Sequence, residues 1–188
     1  MHDTLQMEGM SIYQHGEMVR DYFTDLLDHL EHGTQLKYEW RMPSWLMENR
    51  EFILSKLLDR ETLAAYHLYH DCGKPACLTY DEEGRRRFLN HAAQSYLTWG
   101  RHSDNRQISK LILMDMDIHL LKAEGVEEFA SRPEAISLLL TGMAEVHANA
   151  AMFGGIESTS FKIKAKHIDK RGGQIIRRIL ESQQTLQG

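Results

Sequence analysis

An all-α fold in a single domain is what the chain predicts, and three observations predict it. Apolar residues recur at helical spacing, first at Tyr13, Val19, Phe23, Leu26, Leu27 and Leu30, then at Trp45, Phe52, Ile53, Leu57 and Leu58. Only three prolines, Pro43, Pro75 and Pro133, interrupt the chain, and each falls between such runs, where a residue without an N–H does least harm to a helix. No internal repeat, low-complexity tract or linker divides the sequence.

Taken in order, helices are expected over the two runs above and then over 61–70, 90–100, 105–123, 133–152 and 167–183. The stretch from Pro75 to Arg87 is polar and glycine-bearing. It predicts a loop with a short hairpin, Leu78-Thr79-Tyr80 against Arg87-Phe88-Leu89. A helical bundle of 188 residues, read as one domain over 1–188, is long enough to bury its core without disulfides or structural zinc.

Composition removes several function classes. A net charge of −5 argues against a constitutive basic groove for nucleic acid, although it leaves room for a local patch. Cys72 and Cys77 are not in CxxC spacing and read as free thiols of a reducing compartment. No signal-peptide core and no run of membrane-spanning length is present, so a cytoplasmic protein without a membrane partner is expected. The chain lacks a Walker-type phosphate loop, a Ser-His-Asp pattern and GxGxxG, which removes kinase, acyl-transfer and dinucleotide readings.

The chemistry concentrates in Tyr66-His67-Leu68-Tyr69-His70-Asp71-Cys72-Gly73-Lys74-Pro75. A His followed directly by an Asp where an apolar helical run stops sets an imidazole and a carboxylate side by side. Those donors suit a divalent metal ion such as Mg, Mn, Fe, Co, Ni or Zn. Lys74 stands just beyond this corner, positioned to neutralise a phosphate oxygen, and Arg85, Arg86 and Arg87 offer further phosphate clamps from the loop. A solvated loop is the alternative reading of the arginine run.

The His-Asp pair in this context resembles the HD-domain metal-dependent phosphohydrolase superfamily. Ser11-Ile12-Tyr13-Gln14-His15-Gly16-Glu17-Met18-Val19 resembles the opening segment of that family, with His15 as a ligand. Gly73-Lys74-Pro75, Asp81-Glu82-Glu83-Gly84-Arg85 and Phe88-Leu89-Asn90-His91 are similar to the HD region of bacterial CCA-adding tRNA nucleotidyltransferases. The likeness continues through Ile108 to His119, Ser137 to Glu145 and Phe161 to Ile168 with Gly172-Gly173, about residues 8–180 in all. No nucleotidyltransferase head precedes this region, so CCA addition is not expected.

The resemblance implies His15, His70 and Asp71 as metal ligands, closed by an acidic residue from a late helix. Two candidates compete for that place. Glu145 has the family register, with Glu in place of the usual Asp, and Asp117 has the expected chemistry. Members with more than one metal add histidines whose registers fall on His91 and His119, while Asp115 replaces the first residue of a paired-His motif. Other histidines carry plainer readings: His2, His29 and His32 as exposed polar residues, His67 as a packed or solvated ring, His102 and His147 as pocket groups, and His167 as part of a basic face.

The implied activity is hydrolysis of a phosphoester through a metal-activated water, with Asp71 and Lys74 at the reacting centre and Lys74, Arg85 and Arg87 on the substrate. A nucleotide or an RNA-end phosphate is the implied substrate. Lys162, Lys164, Lys166, Lys170, Arg171, Arg177 and Arg178 form a concentrated positive strip that favours a polyanion, with a solvated helix face as the alternative. A small-nucleotide hydrolase, or an HD module that has lost catalysis and binds RNA or nucleotide, are the rival readings. The sequence leaves open a homo-oligomer.

Overall fold

The computed structural model describes residues 1–187, and these are overwhelmingly helical, an all-α bundle with two minimal hairpins. Strands β1 (Leu5–Met7) and β2 (Met10–Ser11) pair antiparallel and lead into α1 (Ile12–His32). Then follow α2 (Ser44–Glu48), α3 (Arg50–Ser55), α4 (Arg60–Tyr69) and α5 (Lys74–Cys77). Strands β3 (Leu78–Tyr80) and β4 (Arg86–Phe88) make the second hairpin, before α6 (His91–Trp99), α7 (Arg106–Leu113) and α8 (Asp117–Leu120). A 3₁₀ turn at Ala123–Gly125, α9 (Val126–Ala130), α10 (Ala135–Met152) and α11 (Thr159–Gln187) complete the chain.

These elements gather into two compact units. The first comprises Met1–Arg20 with Asp59–Met116, and the second Asp21–Leu58 with Asp117–Gly188. In the first unit the helix starts are set by short polar side chains. Ser11 and Gln14 form a reciprocal capping box at α1, the Ser11 N–H donating to Gln14 Oε1 (2.8 Å) and the Gln14 N–H to Ser11 Oγ (3.2 Å). Asp59 caps α4 by accepting from the Thr62 N–H (2.8 Å), and Asn105 caps α7 by accepting from Ile108 (3.1 Å). Behind these caps Ile12, Val19, Leu63, Tyr66, Ile108, Leu111 and Ile112 are buried and make this unit's apolar core.

The second unit is organised on α10, whose residues from Ala135 to Ala144 are all buried. So continuous an apolar run reads as a helix covered on every side rather than one with a wet face. Gly142 is what admits Ile118 there, since a Cβ would lie 2.7 Å from the Ile118 side chain. On α11 the expected glycine pair has a packing reason: the Trp45 ring lies against Gly172, where any Cβ would overlap it. Trp45 also donates from Nε1 to Asp169 Oδ1 at 3.1 Å.

Four differences from the expected elements have physical causes. The run from Trp45 to Leu58 breaks at Asn49, whose φ of −116° is not helical and whose Nδ2 donates to the Trp45 carbonyl (2.8 Å). The helix expected over 105–123 stops at Leu113, and the buried Asp115 carboxylate accepts a 2.5 Å hydrogen bond from the Tyr66 hydroxyl. The last helix begins at Thr159 rather than 167, with Ser158 Oγ accepting from the Phe161 N–H just after the left-handed glycines 154 and 155. The hairpin forms as expected with its second strand one residue earlier, at Arg86–Phe88. No helix among the described residues is long and apolar enough to cross a membrane.

One buried histidine of the second unit makes the fold sensitive to acid. The His147 ring is 3 % exposed, accepts the Arg41 N–H at Nε2 (3.0 Å) and donates from Nδ1 to the Met143 carbonyl (2.8 Å), which fixes it as neutral. Burial pushes its pKa down to about 4, with the Met143 carbonyl pulling weakly the other way. A folded pKa below the unfolded one means that stability is complete above about pH 6.5 and is lost as protons bind the unfolded chain on acidification. A thermal midpoint that drops between pH 6.5 and 4 is the expected result, worth up to about 3 kcal/mol. A flat midpoint over that window would refute it.

Candidate metal centre

The first unit brings four of the expected residues to one carboxylate. His70 sits at the C-cap of α4, and the turn that follows, with Cys72 N–H on the Tyr69 carbonyl (2.9 Å) and Lys74 N–H on the Asp71 carbonyl (3.0 Å), folds Asp71 back beside it. His70 Nε2 stands 3.2 Å from Asp71 Oδ2, His15 Nε2 3.8 Å from the same oxygen, and His91 Nε2 3.7 Å from Oδ1. A ring nitrogen of His15 lies within 4.8 Å of one of His70. His15, His70 and Asp71 are essentially inaccessible to water, whereas His91 is partly exposed and gives the corner its open side.

Two glycines make this convergence sterically feasible. At Gly16 a Cβ would lie 2.6 Å from the Leu68 carbonyl oxygen and 2.9 Å from that of His67, so only glycine lets α1 approach α4 closely enough to set His15 beside His70. At Gly73 a Cβ would overlap the backbone of Gln94 and Ser95, and the Gly73 N–H donates to Ser95 Oγ (2.9 Å). That contact holds α6, with His91 at its start, against the His-Asp turn.

The rings are oriented by the backbone. His70 Nδ1 is 2.7 Å from the His67 carbonyl and His91 Nδ1 is 3.0 Å from the Phe88 carbonyl. Since a carbonyl only accepts, each Nδ1 carries the proton and each Nε2 presents a lone pair toward Asp71, the arrangement that a metal-binding imidazole requires. Burial by itself would raise the Asp71 pKa, but His70 when it is protonated and the Lys74 ammonium, with a contribution from His15, hold the carboxyl well below its usual range. Asp71 is therefore an anion at neutral pH.

Lys74 is the counter-charge of this anion. Its ammonium lies 2.5 Å from Asp71 Oδ2, donates to Gln6 Oε1 (3.0 Å) and sits 5.2 Å from the centre of the Phe88 ring. Cys72, next to Asp71, is no ligand in this state: burial first and then the Asp71 charge raise its thiol to about 11, so it stays protonated. His15 and His70 thus set two buried ring nitrogens within reach of one another and beside an ionised carboxylate, donor types that suit a divalent ion.

The remaining expected residues have side-chain partners of their own. Glu145 on α10 and His119 on α8 form their own pair in the second unit, Nε2 to Oε2 at 2.9 Å. Asp117 accepts from Arg132 there. On the exposed β3–β4 hairpin, Asp81 takes Arg87 at 2.7 Å and the Arg85 N–H at 2.8 Å, while the Arg85 guanidinium reaches Glu83 at 3.1 Å. Three residues of the positive strip on α11 are engaged: Lys162 pairs with Glu157, Arg171 donates to the Leu121 carbonyl, and Arg178 pairs with Glu127. His167 likewise binds the Ile118 carbonyl (3.0 Å).

Comparison with known proteins adds no name to this geometry. No protein-family model, curated protein or solved structure matches the chain. One contributor to the centre carried no sequence signal: Gln6, which reaches Lys74 from a short strand, while Asp115, marked in the sequence only as a departure from a paired-His motif, holds the Tyr66 hydroxyl behind His70. Gly16 did carry one. A glycine in the first turns of a helix, directly after a candidate ligand, costs helix stability unless something must come close.

Proposed function

We propose that this chain is a cytoplasmic, HD-type metal-dependent phosphohydrolase acting on a nucleotide or RNA-end phosphate. The observation that carries the reading is the convergence of His15, His70 and His91 Nε2 on a buried, ionised Asp71. His15, His70, Asp71 and His91 would hold a divalent ion, which would supply Lewis acidity for activating a water and a phosphoryl oxygen. Asp71 holds the negative charge of the site, the backbone-anchored rings of His70 and His91 keep their lone pairs aimed, and Lys74 supplies a buried ammonium for a phosphate oxygen. The exposed guanidinium groups of Arg85 and Arg87 can exchange their carboxylate partners for phosphate at small cost, because water screens such surface pairs.

Elemental analysis of the purified protein, with hydrolysis of bis-p-nitrophenyl phosphate and of nucleotides under added Mg, Mn, Co or Ni, is expected to find bound divalent metal and metal-dependent turnover. No metal and no turnover with any ion would leave a binding module instead. The same titration on Glu145→Gln tests the closing ligand that the family register suggests: loss of affinity supports that register, and unchanged affinity removes it.

The substrate class has its own signature. An RNA end held by several side chains is expected to lose affinity with salt at a slope of about −0.7 per phosphate contact, whereas a mononucleotide shows a shallow slope. Measuring kcat/KM for a short RNA and for the matching nucleotide at low and moderate salt separates the two. A shallow slope for RNA moves the reading to a small-nucleotide hydrolase.

A further inference from the structure

The second unit contains a cavity of about 430 Å³ that none of the residues discussed as metal ligands lines. That volume falls within the roughly 300–1,000 Å³ of small-molecule sites. Its walls are of two kinds. Met42, Pro43, Met143, Val146 and Ile168 supply an apolar body, and Arg41, Lys162 and Lys166 supply three cations. Asp169 is the single acid on the lining, and its carboxylate already accepts from the Trp45 indole.

The cavity is held by buried groups. The His147 ring, one of its walls, is clamped 4.4 Å from Trp40 and 4.9 Å from Phe161, and through Nε2 it fixes the backbone of Arg41. Among the described residues the Arg41 guanidinium and the Lys166 ammonium form no hydrogen bond or ion pair. Lys162 pairs only with Glu157, which is 82 % exposed, an interaction that water screens and an arriving anion can replace. A fork-shaped guanidinium and two ammonium groups match a dianionic phosphate, and two thioethers against a proline match a flat apolar body.

We infer that this cavity is a second binding site, for a phosphomonoester that carries an apolar body. The site is independent of the metal centre, and so is its test. Calorimetric titration of the intact chain in the presence of chelator uses phenyl phosphate as the probe, with inorganic phosphate and benzyl alcohol as controls. Phenyl phosphate is expected to bind at least tenfold more tightly than inorganic phosphate, and benzyl alcohol not at all.

Arg41→Gln and Lys166→Gln, both at exposed positions, are each expected to weaken binding at least fivefold. Ala165→Phe, which fills the cavity from α11, is expected to abolish it, with melting curves to show that the variant folds. His91→Gln, at the metal centre, is expected to leave it unchanged. Absence of binding, equal affinity for phenyl and inorganic phosphate, survival of binding in the Arg41 and Lys166 variants, or its loss in His91→Gln would each overturn the inference.

Discussion

Asp71→Asn alone is expected to abolish divalent-metal binding and phosphoester hydrolysis and, in the same step, to destabilise the fold by about 3–5 kcal/mol. The second effect comes from Lys74. Its side chain is 8 % exposed, and its counter-charge is the Asp71 carboxylate. An amide of the same volume leaves that ammonium buried with only the neutral Gln6 carbonyl and the Phe88 ring face. An uncompensated buried charge is far more costly than the absence of the whole pair.

The double variant Asp71→Asn/Lys74→Met separates the two effects. It removes both charges, keeps the aliphatic stem that packs beside Phe88, and is expected to recover most of the lost stability while remaining without metal or activity. Denaturant midpoints of the wild type, both single variants and the double variant give the coupling directly. A double variant as unstable as Asp71→Asn would mean that the carboxylate acts through something other than Lys74. Recovery of metal binding would remove Asp71 from the ligand set.

The legible part of the molecule was the part fixed by local chemistry. Apolar spacing marked α1 and α4 because each buries a face at helical period, and α10 stood out as a continuous run because it is covered on every side. The turn at His70-Asp71 was visible because a helix that stops at Gly-Lys-Pro leaves little choice for the residues before it. The two breaks that spacing missed were decided by polar side chains turning on their surroundings: Asn49 onto the Trp45 carbonyl, and Asp115 inward to the Tyr66 hydroxyl. Both residues look compatible with an exposed helical position, so apolar periodicity cannot report them. The clustering of His15 and His91 about Asp71 is likewise a property of packing. Residues 56 and 20 positions away from Asp71 in the chain meet there through close approaches that only glycine allows.

Gly73→Ala puts that dependence to its hardest test. A methyl group at residue 73 would overlap the Gln94 and Ser95 backbone, and backbone cannot swing aside as a flexible side chain can. Either α6 moves away from the His-Asp turn or the turn rearranges. In both cases the Gly73 N–H loses Ser95 Oγ and His91 leaves its place 3.7 Å from Asp71 Oδ1. The φ of Gly73 is an ordinary −87°, so the cost is purely one of space.

The variant is expected to lose at least about 3 kcal/mol of stability and to bind metal more weakly even where it remains folded. Gly84→Ala in the hairpin serves as the contrast, because it adds the same methyl group where nothing lies within 4 Å. Its φ of +74° gives it a backbone penalty of its own, of order 1 kcal/mol, without any displacement of α6. Metal affinity falling in Gly73→Ala but not in Gly84→Ala is the result that ties the close approach to the centre. Equal affinities in the two variants would show that His91 contributes nothing to holding the ion.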